Sequence, residues 1–414
     1  MGAPSGDDAP SARSSVDGYR ERVLAALGPL RPRHPETVPL AEALGRVLAV
    51  ELASPIDLPP FRNSQMDGYA VRAADVAAAP VTLPVVGEVA AAPGAPAALE
   101  PGTAVRIMTG APMPDGADAV IPVEDTLAGA DPASGDHVRI ARGRAVGEYV
   151  RDAGSDLRAG GVVLTAGVRL ASRHLAAAAA AGITAVEAVP RVRVAVISSG
   201  SELLAPGELL GPGQIYDSNG VAIAAAVRAA GAEVVLEGRV RDDATELEAL
   251  LDAAIGLGAE LILTSGGISM GDHEVVRELM EPRGAHVDVL AMQPGGPQAL
   301  GSWGEAAMVP VVCFPGNPVS SQLSFELFVA PTLRELAGLS AAGRETRVLD
   351  SAVRSIPGRR QFLRGRRTAG DGVTAVGGPG SHLVTALAAS DVLIVVPEDV
   401  TELAAGDPVE AWEL

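Results

Sequence analysis

Five carboxylates stand beside turns in the middle of this chain: Glu202, Asp217, Asp242, Asp272 and Glu274. Their neighbours read as strand ends followed by helix starts, which is where open α/β sheets bind ligands. Two of the five close the run Thr264-Ser265-Gly266-Gly267-Ile268-Ser269-Met270-Gly271-Asp272-His273-Glu274, a glycine-rich strand-to-helix turn. Such a turn lets the backbone come close to an anion and aims N–H groups at it. The same glycines also suit an ordinary tight turn. A second turn, Phe314-Pro315-Gly316-Asn317-Pro318, follows a later strand and opens another helix. Side by side, the two turns would frame one crevice. Mg²⁺ commonly takes one or two carboxylates plus substrate phosphates, so the carboxylates around that crevice point to a Mg²⁺ site. Other roles stay open for each of them. Glu202 also fits a solvated loop, Asp217 a helix cap, and one of Asp242 and Asp243 must cap the helix that follows.

Composition limits what the crevice can hold and how. The chain has 414 residues and a net charge of −19. An exposed nucleic-acid surface is not expected from it, because phosphate backbones want a basic face. The sequence contains no lysine, so all 32 basic residues are arginine. That excludes a P-loop lysine, a Schiff-base lysine and a lysine general base. The single cysteine, Cys313, excludes a disulfide within the chain and suits a reducing cytoplasm. The first residues lack the apolar core of a signal peptide. The longest apolar stretch, 175–186, is too short to span a bilayer, so no membrane contact is expected.

The elements that must position these groups follow from periodicity. Residues 1–14 read as a tail, and Ser15 as the cap of a helix to about Leu27. A short helix is expected over 40–48. Residues 81–89, 103–107, 119–123 and 137–140 read as strands of a small β region. A helix is expected over 170–181. From 192 to 336, strands (192–197, 233–237, 261–264, 287–292, 311–314) alternate with helices (219–230, 245–255, 273–280, 319–336). A Thr245…Glu248 capping box is expected in the second of these helices. Such alternation specifies a doubly wound, mostly parallel sheet. After 343 the texture is β again (347–353, 362–364, 373–376, 392–396). The expected architecture is multidomain α/β: a helical linker domain (15–50 plus 150–188), an inserted β domain (51–149), the α/β domain (189–339) and a C-terminal β domain (340–414).

Outside the crevice, no pair of the six histidines has metal-ligand spacing. His174 reads as structural, and His273 and His382 as either pocket or surface residues. Arg354, Arg359, Arg360, Arg364, Arg366 and Arg367 are the main basic concentration, suited either to steering an anion or to a solvated hairpin face. No serine-hydrolase elbow, zinc-protease helix, Rossmann fingerprint or Walker loop is present. From the residues alone, the chain binds a phosphorylated or oxyanionic ligand, with Mg²⁺.

The motifs, taken in order, resemble the molybdopterin molybdenumtransferase family, bacterial MoeA and the E domain of gephyrin. They are Asn63-Ser64-Gln65-Met66-Asp67-Gly68-Tyr69-Ala70, Arg106-Ile107-Met108-Thr109-Gly110-Ala111-Pro112, Gly116-Ala117-Asp118-Ala119-Val120 and Gly147-Glu148. There follow Gly213-Gln214-Ile215-Tyr216-Asp217-Ser218-Asn219, Arg241-Asp242-Asp243, the run from Ser265 to Asp272, Phe314-Pro315-Gly316-Asn317-Pro318-Val319-Ser320 and Gly380-Ser381-His382. The resemblance implies a molybdopterin-binding α/β domain within the four-domain chain. It also implies a homodimer whose site lies between the α/β domain of one subunit and the β insert of the other. The implied reaction inserts molybdenum from molybdate into adenylylated molybdopterin and releases AMP, with Mg²⁺. By similarity, Asp67, Thr109, Glu202 and Asp242 are catalytic, and Glu202 and Asp242 order the metal. Asp217, Ser265, Gly266, Gly267, Ser269, Asp272, Glu274, Pro315, Gly316, Asn317 and Ser381 hold the substrate. The resemblance leaves room for contacts with molybdopterin adenylyltransferase and with acceptor molybdoenzymes.

Three departures stand out. Ser201 occupies the place of an aspartate before Glu202. The run Gln293-Pro294-Gly295-Gly296-Pro297 lacks the two lysines usual in the family, and Glu274 stands where aspartate is usual. Two alternative functions are therefore weighed: a molybdopterin adenylyltransferase, whose resemblance covers only the α/β domain, and a non-catalytic dimeric scaffold that holds molybdopterin.

Overall fold

A computed structural model describes residues 13–31, 33–127, 137–268, 274–305 and 308–414. Ser269, Asp272 and His273, together with residues 1–12 of the expected tail, lie outside the described residues. The chain forms two compact units: 37–188, and 189–414 with the described residues up to 36. The expected linker segment 15–50 is thus divided at residue 36.

In the larger unit, a six-stranded sheet has the order Glu233–Val240, Arg193–Ser199, Leu261–Ser265, Val309–Phe314, Pro297–Trp303, His286–Val289. The first four strands are parallel. Their middle members are continuous apolar runs because both faces are covered by helices. One face packs Val194, Val196 and Leu263 against the helices Ser218–Ala229 and Pro318–Phe328. The other packs Ala195, Ile197 and Ile262 against Leu247, Leu251 and Leu279. The strand Pro297–Trp303 was not expected, because Pro297 and Gly301 break the strand texture of its sequence. It pairs antiparallel with both neighbours and turns the edge of the sheet into a mixed one.

Three expected helices differ in the structure. The start of Ala244–Gly256 is capped by Asp243, which accepts from the amides of Thr245 (2.8 Å) and Glu246 (3.2 Å), in place of the expected Thr245…Glu248 box. The long helix expected over 319–336 is two, Pro318–Phe328 and Ala330–Leu336. Pro331 has no N–H for the helical ladder, so a break beside it follows. The helix expected over 40–48 is a single 3-10 turn, Leu40–Glu42.

The helix Val16–Ala26 begins at Ser15, whose hydroxyl accepts from the Gly18 amide. It buries Val16, Tyr19 and Val23 in the same core as the sheet. Tyr19 meets Phe328 edge-on at 4.9 Å. Truncating a buried aromatic of this kind costs about 3–5 kcal/mol.

The C-terminal strands close on themselves. Arg360–Arg367, Gly372–Ala375, Arg344–Leu349, Pro408–Glu413 and Val392–Val396 pair in a ring, since the first also pairs with the last. Closure removes exposed edges. Leu349, Val373, Ile394, Val396 and Val409 fill the interior. The strand Pro408–Glu413 was not expected.

In the smaller unit, a five-stranded sheet has the order Ala119–Pro122, Gly68–Val71, Ala104–Ile107, Val81–Val89, His137–Ile140. Gly68 is required there, because a Cβ would collide with the Ile121 carbonyl of the neighbouring strand. His174 is structural, as expected: its Nδ1 accepts from the Ala171 amide at 3.0 Å, at the start of the helix Ser172–Ala180.

Candidate functional site

The parallel strands of the larger unit end together, and their turns line a cavity of about 920 Å³. Glu202, Asp217, Asp242, Gly266, Gly267, Glu274, Pro315, Gly316, Asn317 and Ser381 all face it. Of the residues expected in the α/β and C-terminal regions, Ser265 lies just beneath, buried, and Ser269 and Asp272 are not described.

The two glycine turns touch. The Gly266 amide donates to the Phe314 carbonyl at 3.0 Å. Gly266 has φ +91°, and a Cβ there would strike the Ser199 carbonyl. Both facts demand glycine. Gly316 lies so close that its Cβ would sit 3.5 Å from the Gly266 Cα. Asn219 fastens the second turn by donating its Nδ2 to the Gly316 carbonyl at 2.8 Å. The crevice that the two turns were expected to frame is therefore a single tied structure.

The acidic residues that the structure describes take distinct places. Asp217 caps the helix Ser218–Ala229 through the Gly220 amide (2.8 Å) and also accepts from the Ser198 hydroxyl (3.0 Å). Ser265 donates on to Ser198 at 3.3 Å, so a buried hydroxyl chain holds the Asp217 carboxylate at the cavity wall. Asp243 is the helix cap, and Asp242 is the one that lines the cavity. Asp242 and Ser201 clasp each other: the Ser201 amide donates to the Asp242 carboxylate and the Asp242 amide to the Ser201 hydroxyl, both at 3.1 Å. A serine at 201 thus fixes Asp242 where a second carboxylate would repel it. The Glu202 side chain lies over Gly200, whose absent Cβ leaves it room. Asn317 stands at the N-cap of Pro318–Phe328 without its side chain capping the helix, so that side chain is left to the cavity.

No group of three or more metal-binding side chains occurs among the described residues. Glu202 and Asp242 on one cavity wall nonetheless suit Mg²⁺, whose shell is normally completed by water and substrate phosphate.

The run Gln293-Pro294-Gly295-Gly296-Pro297 also borders the cavity and is held by amides. Gln361 donates to the Gln293 side chain at 2.8 Å, and buried Gln298 donates to the Gly295 carbonyl at 2.9 Å. Sequence reasoning did not single out Ser198, Ser199 or the side chain of Asn219. Their signal was weak, because serine and asparagine at strand ends are ordinary turn residues.

In the smaller unit, Asp67 and Thr109 meet. Asp67 accepts from the Thr109 amide at 2.7 Å and hydroxyl at 2.8 Å. These two bonds hold the Asp67 carboxyl below the usual aspartate range.

Comparison with known proteins decides the family. Residues 14–182 match the MoeA N-terminal region (domains I and II), 195–335 a probable molybdopterin binding domain, and 346–414 the MoeA C-terminal region (domain IV). The chain is 44% identical to molybdopterin molybdenumtransferase 2 of Mycobacterium tuberculosis over 95% of its own length and 98% of the relative's. The chain belongs to the MoeA family. A molybdopterin molybdenumtransferase of Haemophilus influenzae is 32% identical over 95% of this chain and 97% of its own. The crystal structure of a molybdopterin biosynthesis MoeA protein from Pyrococcus horikoshii superposes with a TM-score of 0.74 at 35% identity. That likeness covers 97% of this chain and 99% of the archaeal one. The MoeA architecture, multidomain α/β with small β regions, is therefore the architecture here. No helix of the described residues is long and apolar enough to cross a membrane.

Proposed function

We propose that this MoeA-family chain is a molybdopterin molybdenumtransferase, an enzyme of molybdenum cofactor biosynthesis. It takes adenylylated molybdopterin and molybdate, inserts molybdenum and releases AMP. The observation that carries this reading is the joined pair of glycine turns opposite Glu202 and Asp242 in one cavity. Cleaving a phosphoanhydride is largely positioning plus charge neutralisation, so backbone amides and carboxylate-held metal suffice.

In this reading Gly266, Gly267, Pro315, Gly316 and Asn317 cradle the phosphate, with Ser265 beneath and Ser381 at the side. Ser269, Asp272 and Glu274 belong to the same turn. Asp217, fixed by Ser198, accepts from the N–H donors of the pterin. Glu202 and Asp242 hold Mg²⁺, which neutralises charge on the phosphates when bound. The proposal includes a homodimer, in which a second copy supplies Asp67 and Thr109 for molybdate. It keeps the four-domain division and a cytoplasmic location, and it leaves contacts with molybdopterin adenylyltransferase and molybdoenzymes to the same enzyme.

The test is AMP release from adenylylated molybdopterin with and without molybdate. Molybdate-dependent release supports the reading. AMP transfer from ATP onto molybdopterin without molybdate-dependent release would make the chain an adenylyltransferase. Neither activity, with molybdopterin still bound, would leave the scaffold.

A further inference from the structure

The cavity meant for an anion is itself acidic. Glu202, Asp217, Asp242 and Glu274 line it, and no arginine does among the described residues. The sequence of 269–273 adds His273 but no arginine, and the chain has no lysine. Among the described residues, one lining side chain can carry positive charge: His382, exposed on the turn 378–382.

That turn has its electron-rich oxygens directed elsewhere. The Gly378 and Gly380 carbonyls accept from buried Arg364, the latter at 3.0 Å. The Ser381 carbonyl accepts from the Val319 amide at 3.0 Å, and the His382 carbonyl from the Val384 amide at 2.9 Å. With four carbonyls engaged, the turn offers the cavity its donors, the Ser381 hydroxyl and the His382 ring. The ring rests against Gly380, where a Cβ would come within 3.0 Å of its Cε1. Gly380 therefore keeps the place in which the imidazole lies.

We propose that His382 is an oxyanion-contacting cation of this cavity, binding in its protonated form, the one cationisable side chain among the described lining residues. The inference rests on the function proposed above and assigns one more residue to it. Imidazole is the side chain whose charge changes between pH 5 and 8, so anion affinity becomes pH-dependent there. Among the described residues the charged groups around the cavity and turn are the four lining carboxylates and, behind the turn, Arg364; the Gln variant separates His382 from His273, which as a histidine ordinarily titrates in the same range. Carboxylates and guanidinium ordinarily keep their charge across that window.

The test measures molybdate binding by calorimetry at pH 6 and pH 8 on the full chain. Losing a partly exposed charge-assisted contact is worth roughly five- to tenfold. Wild-type affinity should fall by about that factor from pH 6 to 8. His382→Gln should bind weakly and equally at both. His382→Arg, which restores a permanent charge, should bind equally at both and near the wild-type level at pH 6; a merely structural histidine would not be rescued this way. A pH-independent wild type, or a His382→Gln variant with the wild-type pH ratio, overturns the assignment. AMP release is scored in the same samples. Its absence from the wild type overturns the function, whereas identical pH profiles for AMP release in wild type and His382→Gln overturn only the role of His382.

Discussion

Two regions of the larger unit concentrate charge, and they use it in opposite ways. At the strand ends, four carboxylates surround a cavity that no described arginine enters. On the C-terminal ring of strands, arginines meet carboxylates directly. Arg360 pairs with Asp17 (2.8 Å) and Glu398 (3.0 Å). Arg347 and Arg367 share Glu345 at 2.9 and 2.7 Å. Beside the ring, on the short pair Val353–Arg354 and Glu402–Leu403, Arg354 reaches Glu402 at 3.9 Å. In the ring, charges neutralise one another and stabilise the folded chain. In the cavity they are left for a ligand and its metal. The sequence offered two uses for the arginine cluster, steering an anion or a solvated hairpin face; Arg360 and Arg367 tie strands to neighbouring segments, and Arg354 lies exposed on a short strand pair.

The largest expected effect breaks the cavity side of this contrast. Glu202→Ala or Asp242→Ala should lower AMP release at least about 100-fold, since metal-borne charge stabilisation is worth several kcal/mol. Denaturant midpoints should stay near the wild type, because both side chains are exposed. An unchanged rate would remove either residue from the site. Gly266→Ala should act on both stability and turnover. Its φ of +91° and the Ser199 carbonyl beside it make a cost of roughly 1–3 kcal/mol the expected result, read as a lowered urea midpoint.

On the ring side, Glu345→Gln should leave turnover alone and alter acid stability. The hydrogen bonds from Arg347 and then Arg367 push the Glu345 carboxyl down to about 2. A depressed carboxyl contributes stability that is present above the unfolded glutamate value and lost as pH falls toward the folded one. The wild type should therefore lose this contribution between about pH 4.5 and 2, and the glutamine variant should not show it. Melting temperatures across that range compare the two. The smallest effect is expected at Cys313, beneath the cavity. Burial pushes its thiol up to about 11. An alkylating reagent at pH 8 should leave it unmodified in the folded chain and label it on unfolding.

Much of this was legible before the fold was known. The alternation of β-branched runs and helical periods from 192 to 336 gave the sheet, because buried parallel strands write themselves as apolar runs. Pro297–Trp303 escaped because it pairs as an antiparallel insertion with glycine and proline in its sequence. The candidate carboxylates were found, yet Asp242 and Asp243 could not be told apart, since only the helix geometry shows which one caps. The absence of arginine from the described cavity wall was hidden. Six arginines stand within thirty residues of Ser381 in sequence, and only the fold shows that Arg354, Arg360, Arg364 and Arg367 meet carboxylates or carbonyls instead.

The central claim is that this cavity handles a phosphoanhydride with carboxylate-held metal and backbone amides. The direct measurement is AMP released from adenylylated molybdopterin at saturating molybdate, titrated with Mg²⁺, for the wild type and Asp242→Asn. The account expects release that requires both molybdate and Mg²⁺, and an Asp242→Asn curve displaced to much higher Mg²⁺ or abolished. Release that ignores Mg²⁺, or superimposable curves for the two proteins, would contradict it.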